Sequence, residues 1–329
     1  VMAGMSWVLS AQVNGLATLW LVYGCMGGLG TGIVYIGVVG LMVKWFPQQR
    51  GFAAGAVAAG YGMGAIITTF PISLSLTTNG LEHTMTTFGI LFALVGFLAS
   101  QGLKLPPPAV SQPVSQTVVQ SSRSFTSREM LRQPLFWLMF AMMAMMSTSG
   151  LMVTSQMAVF AEDFGISQAV VFGMAALPLA LTIDRFTNGL TRPLFGFISD
   201  RFGREQTMFI AFALEGVAMM LWLACREDPL LFVLLSGVVF FGWGEIFSLF
   251  PSTLTDTFGS EHAASNYGWL YISQGIGSIF GGPLAALLYQ HTHGWHVVFS
   301  CAIALDFVTA ALALWVLKPW RARFIRQHS

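Results

Sequence analysis

Four residues between positions 181 and 192 carry side chains that could hold an anion or a proton: Asp184, Arg185, Asn188 and Arg192. At 100° per residue they fall within about a quarter of a helix circumference, as one polar stripe. A guanidinium is a planar fork of donors that matches a carboxylate and keeps its charge when taken out of water. The plainer alternative is a structural pair between Arg192 and Asp184 or Glu215. Arg185 beside Asp184 is as readily a self-neutralising pair, and Asn188 alone would tie helices together. Glu215, Glu245 and Asp306 lie in apolar stretches, where a carboxyl can carry a proton. Glu245 follows Trp243 closely, so it and Asp184 are candidates for proton coupling, with Glu245 alternatively balancing Arg185. Asp306 is expected on an outer helix in a structural role.

The elements that must carry this stripe are read from composition. The chain has 329 residues, 55% hydrophobic and 9% charged, against about 25% charged in a soluble domain. No charge occurs over 1–43, 51–81 or 133–161, and about 20 apolar residues span a bilayer. The chain is therefore a polytopic α-helical membrane protein, and its charged stripe should face protein or a water-filled cavity. A net charge of +1 gives no reason to expect nucleic acid. Cys25, Cys225 and Cys301 sit in apolar segments at no metal-ligand spacing, as small buried residues.

Ten apolar segments are expected, at 1–13, 17–43, 51–76, 84–103, 134–160, 166–198, 206–225, 229–252, 264–290 and 295–317. The first gives only about 20 Å of helix against about 30 Å of hydrocarbon, so the chain is expected to begin partway through a helix. Between the fourth and fifth lies a polar stretch at 104–133, rich in Ser and Gln and containing Pro106, Pro107 and Pro108, which reads as a flexible linker. The expected organisation is a first bundle at 1–103, a linker at 104–133, a six-helix bundle at 134–318 and a tail at 319–329. Counting alternate sides, twelve cations fall on one side and Arg226 alone on the other. The positive-inside rule puts the first side, with linker and C-terminus, in the cytoplasm. The segment opening Tyr61-Gly-Met-Gly-Ala-Ile resembles that opening Gln274-Gly-Ile-Gly-Ser-Ile, a faint repeat of the kind found between halves of transporters.

Other clusters carry less. Gly27-Gly-Leu-Gly-Thr-Gly32 lies in an apolar segment with no preceding soluble strand, so it reads as close helix packing rather than a nucleotide loop. His291, His293 and His296 have nothing nearby to complete a metal shell. The methionines from Met139 to Met146 read as adaptable packing. No metal site and no cofactor are expected, and no nucleophile–base pair suggests an enzyme.

The stretch Gly196-Phe-Ile-Ser-Asp200-Arg201-Phe-Gly203-Arg204 is the most specific motif. Asp200 could accept at the next helix's N-terminus, Arg201 and Arg204 could pair with acids or helix C-termini, and Gly203 permits a tight turn. The pattern resembles the short loop signature of the major facilitator superfamily, where it latches helices in one access state. Lys44-Trp-Phe-Pro-Gln-Gln-Arg50-Gly51, Asn188-Gly-Leu-Thr-Arg192-Pro193, Phe250-Pro-Ser252 and Asn266-Tyr-Gly268 resemble the oxalate/formate antiporter family and its monocarboxylate-transporter relatives. The resemblance covers essentially the whole chain. It implies an all-α, two-bundle membrane fold with about ten of twelve helices present, in a bacterial inner membrane and acting as a monomer. It further implies alternating-access transport of a small organic anion, by antiport or proton symport. On this resemblance Arg192 grips the substrate carboxylate, with Asn188, Tyr35 and Trp243 as cavity partners and Arg185 as a further cation. Phe247 stands where the oxalate carrier has a tyrosine, and Gln274 where it has a second cation, a lysine. Oxalate and a monocarboxylate such as lactate, pyruvate or formate therefore both stay open as substrates. A truncated, non-transporting sensor or remnant is the rival reading.

Overall fold

The computed structural model describes residues 1–107 and 119–328. Pro108 and the middle of the polar connection read at 104–133 lie outside the described residues. Nearly all the rest is helix: α1 Met2–Ser10, α2 Leu16–Trp45, α3 Arg50–Ser100, α4 Ser127–Leu131, α5 Pro134–Thr154, α6 Met157–Asp163, α7 Ala176–Phe202, α8 Arg204–Ala224, α9 Pro229–Phe258, α10 Ala263–Thr292 and α11 Trp295–His328. Seven of these are long and apolar enough to cross a membrane. Two more belong with them: α1 is merely short, and α7 carries Asp184, Arg185, Arg192, Asp200 and Arg201.

The breaks follow from sequence. Gly80 has φ +80° and ψ 175°, open to glycine and strained for other residues, so α3 is two arms corresponding to the third and fourth apolar segments. Gly203, at φ +96°, separates α7 from α8. The sixth segment was expected from residue 166, but its helix begins only at Ala176. A two-stranded hairpin, Val170–Val171 against Met174–Ala175, takes up its start. Phe172 and Gly173 turn it with positive φ at both positions, as a two-residue hairpin needs. A charge-free apolar run reads alike as strand or helix, which is why the sequence does not show the hairpin.

Helices α1 to α3 pack together, α5 to α11 form a second bundle, and α3 and α2 lie against α7 and α10 between the two. Glycine makes the closest approaches possible. A Cβ on Gly30 would stand 2.6 Å from the Ala3 nitrogen, which accounts for part of the glycine run in α2.

The end of the molecule rich in Lys and Arg is the basic end. There the described part of the 104–133 stretch is tied down. Ser121 and Phe125 donate backbone bonds to the Asp256 and Phe258 carbonyls (both 2.8 Å). A Thr126–Glu129 capping box opens α4. The Thr126 N–H and hydroxyl, then Arg123, hold the Glu129 carboxyl below its ordinary value. Residues 318–328 continue as helix, and Arg321 donates to Glu205 (2.7 Å), Thr257 (2.7 Å) and the Val119 carbonyl (2.5 Å). This seam joins the linker, α8, α9 and the C-terminal helix.

Candidate functional site

Arg192 sits where α7 meets α3, and its side chain reaches across between the bundles. Nη1 donates to the Ala58 carbonyl (2.6 Å) and Nη2 to Asn188 Oδ1 (2.7 Å), while the guanidinium lies 4.5 Å from the Phe247 ring centre. The residue is buried and Nε has no partner. Among the described residues Arg192 makes no ion pair, so the structural pair with Asp184 or Glu215 is not formed. Gly62 makes room for it: a Cβ there would stand 3.2 Å from Nη1. Two neutral acceptors and a ring are incomplete compensation for a cation withdrawn from water, where a carboxylate would supply the missing charge.

Around Arg192 lies a layer of tyrosines. The Tyr35 ring of α2 is 5.1 Å from Tyr61 of α3, 6.4 Å from Tyr267 and 5.2 Å from Tyr271 of α10. Two tyrosines come from each bundle. The buried hydroxyls of Tyr35 and Tyr267 have no partner outside this cluster, and Phe247 closes the layer 6.3 Å from Tyr271. The sequence points to Tyr35; Tyr61, Tyr267 and Tyr271 join it only through the packing of α3 and α10. The signal was available in that the chain has only six tyrosines, two of them four apart on α10.

The site is built against a break in α9. Helical bonding stops at Trp243 and resumes at Ile246, leaving carbonyls near the break for α7 to satisfy. Thr191 donates to the Phe241 carbonyl (2.5 Å) and the Asn188 amide to the Phe240 carbonyl (3.4 Å). A Cβ on Gly244 would lie 2.5 Å from the Asn188 carbonyl oxygen, so glycine is what lets α7 approach. Asn188 thus serves Arg192 with its oxygen and the α9 break with its nitrogen. Trp243 donates to the Met146 carbonyl (3.2 Å) and packs into the space left by Gly150 of α5.

The remaining predicted residues are distributed differently. Gln274 is half-buried and accepts a hydrogen bond from the Ser147 hydroxyl. The polar stripe divides: Asp184 is buried against α9 without a cation, whereas Arg185 is exposed, without an ion pair among the described residues. Arg185 lines a hollow of about 300 Å³ with Ile66, Thr69 and Phe70 of α3, two turns farther from the basic end than Arg192. Sharing a quarter-turn with Arg192 did not give either residue the same surroundings, because α9 covers one edge of the stripe only. Glu245 does not balance Arg185; it is fully buried with no hydrogen-bond partner, as are Glu215 and Asp306. Asp306, on α11, is completely buried.

At the basic end the loop motif joins the bundles. Asp200 accepts from the Gly51 and Phe52 backbone N–H groups (2.9 Å each) at the start of α3. The expectation placed it on the next helix; it caps one in the other bundle instead. Arg204 pairs with Asp200 (2.6 Å) and Asp256 (2.8 Å), and Asp256 also takes Arg50 from the first bundle (2.8 Å). Arg201 is exposed and stacks on Phe197 at 4.2 Å, outside this network. Cβ atoms on Gly51, Gly55 and Gly196 would fall 2.4, 2.2 and 2.1 Å from backbone oxygens of the facing helix. The bundles are in direct backbone contact here.

Comparison with known proteins agrees with this architecture. The family model described as Major Facilitator Superfamily matches residues 1–185 and 178–328. The oxalate:formate antiporter of Oxalobacter formigenes is 31% identical over 319 residues, spanning 96% of this chain and 73% of that protein. The uncharacterized MFS-type transporter YhjX of Escherichia coli (strain K12) is 29% identical, over 85% of this chain and 67% of its own. The crystal structure of the MFS transporter FucP in the outward conformation superposes with a TM-score of 0.63 at 15% identity, covering 95% of this chain and 80% of that one. A family match over both bundles and a shared fold lead to one assignment: this integral membrane protein belongs to the major facilitator superfamily.

Proposed function

We propose that the chain is a secondary active transporter of a small organic anion, working by alternating access, with Arg192 as the carboxylate anchor. The observation that carries this reading is a buried guanidinium between the bundles with no anionic partner among the described residues. Asn188, Phe247 and the tyrosine layer orient the fork, and the Tyr35 and Tyr267 hydroxyls are donors for the anion's second oxygen. Trp243 and Gln274 form its flanks. Asp200, Gly203, Arg204 and Asp256 hold the basic end shut, and parting α3 from α7 there opens the site to the other side. The basic end lies in the cytoplasm by its Lys and Arg excess, in a bacterial inner membrane. The division is 1–103, a linker at 104–133, 134–318 and a tail at 319–329.

With Gln274 uncharged and hydrogen-bonded to Ser147, one buried cation faces the anion, which favours a single carboxylate. The similarity to an oxalate:formate antiporter supports the dicarboxylate reading instead. Counterflow in proteoliposomes with oxalate, formate, lactate and pyruvate separates them. One buried cation predicts exchange of monocarboxylates, with Gln274→Lys improving oxalate. Preference for oxalate in the unaltered chain overturns the one-cation site, and exchange of none of the four overturns the transport reading.

A further inference from the structure

Glu215 of α8, Glu245 at the α9 break and Asp306 of α11 converge inside the second bundle. The backbone of α9 meets α8 beside Glu215, where a Cβ on Gly242 would stand 2.8 Å from the Glu215 Cβ. Ser149 of α5 donates to the Ala302 carbonyl (3.1 Å), one helical turn from Asp306. Glu215 lies within electrostatic range of both Glu245 and Asp306, and Glu245 within range of Asp306 and of Arg192. All three acids are completely buried, and none of their six carboxyl oxygens has a hydrogen-bond partner. Each belongs to a different helix, so one local accident does not explain them.

A second observation lies on the other side of Glu245. Arg192 is buried with an unpartnered Nε, and it lies within electrostatic range of Glu245. Among the described residues no group of His, Cys, Asp or Glu is arranged to hold a metal ion. Ionised and unpaired in a low-dielectric interior, three carboxylates would repel one another and forfeit all their solvation. Protons held on these groups remove both costs.

We propose that Glu215, Glu245 and Asp306 form a proton-holding site whose occupancy is coupled to the anion at Arg192 through Glu245. The inference rests on the reading of Arg192 as the anion site and names the coupling ion. With the site empty, Arg192 favours a charged Glu245. A bound carboxylate neutralises Arg192, and its own charge disfavours ionised Glu245, so one proton is taken up from water onto a Glu245 oxygen. No bond other than that O–H forms or breaks. Asn188 supplies the mechanical link, since it binds Arg192 and caps the α9 carbonyl just before the break that carries Glu245. Linkage is reciprocal, so the anion's affinity must fall as pH rises wherever this proton is exchanged.

The test uses the full chain in weakly buffered detergent with a pH indicator, titrated with formate and separately with oxalate. Uptake approaching one proton per bound anion is expected, with affinity falling up to about tenfold per pH unit in the linked range. In Glu245→Gln the anion should bind without proton uptake and without that pH dependence. Anion binding with no proton exchange in the unaltered chain, or uptake that persists in Glu245→Gln, overturns the proposal. Absence of anion binding would sink the Arg192 reading instead. The proton site itself is then judged by infrared spectroscopy, which needs no anion. The C=O stretch of protonated carboxyls should be present at neutral pH and lose intensity in Glu215→Gln and Asp306→Asn separately. A spectrum without that band, or one that neither variant alters, overturns it.

Discussion

Replacing Asp256 by Asn should unlatch the basic end without unfolding the second bundle. Asp256 takes Arg50 on one oxygen and Arg204 on the other, both at 2.8 Å and all three side chains buried. Of these two contacts, only the one to Arg50 crosses between bundles. Arg204 keeps Asp200 at 2.6 Å and the Ser199 hydroxyl at 2.6 Å, so the second bundle retains most of its own network. At 2.8 Å the Arg50 attraction is about 6 kcal/mol at an effective dielectric of 20, from which several kcal/mol of desolvation must be subtracted. Asparagine removes the attraction and leaves Arg50 buried opposite a neutral amide, whereas opening returns Arg50 to water. The closed state should therefore lose about 1–3 kcal/mol relative to the open one, a shift of roughly 5- to 150-fold in their ratio. Spin labels at Gln49 and Arg201, which flank one small surface hollow across the junction, report it directly. Their distance distribution should lengthen in Asp256→Asn, and Arg50→Gln should give the same shift without adding to it. An unchanged distribution in folded protein would refute the latch.

Gly55→Ala puts a Cβ 2.2 Å from the Arg192 carbonyl oxygen, so closure at the basic end should weaken by about 1–3 kcal/mol, lengthening the same label distance while the fold's stability holds. Arg185, exposed on the hollow beside α3, is placed to attract an incoming anion. Arg185→Gln should lower uptake efficiency a few-fold at low salt and less at high salt, the mark of steering rather than binding.

Most of the helical layout was legible because charge-free runs and charged turns alternate plainly along the chain. The Gly203 turn and the proximity of Asn188 to Arg192 followed from residue type and spacing. What was not legible depended on partners far away in sequence. Asp200 could be seen to want backbone N–H groups, but only the crossing of α3 with α7 makes those Gly51 and Phe52. Asp184 and Arg185 share a stripe with Arg192, yet α9 buries the first and leaves the second open. The hairpin at 170–175 escaped because periodicity alone does not tell a short apolar strand from a stretch of buried helix. The convergence of Glu215, Glu245 and Asp306 from three helices needs the packing itself.

The unpaired Arg192 guanidinium is proposed to hold the transported carboxylate. Lysine keeps the charge but gives up the fork, the simultaneous contacts to Ala58 and Asn188, and the stacking on Phe247. Such contacts are worth about 1–3 kcal/mol together. The direct measurement is counterflow by Arg192→Lys in proteoliposomes, beside its insertion and monodispersity in detergent. Normal insertion is expected, with exchange reduced roughly 10- to 100-fold. Normal insertion with unchanged exchange would contradict it.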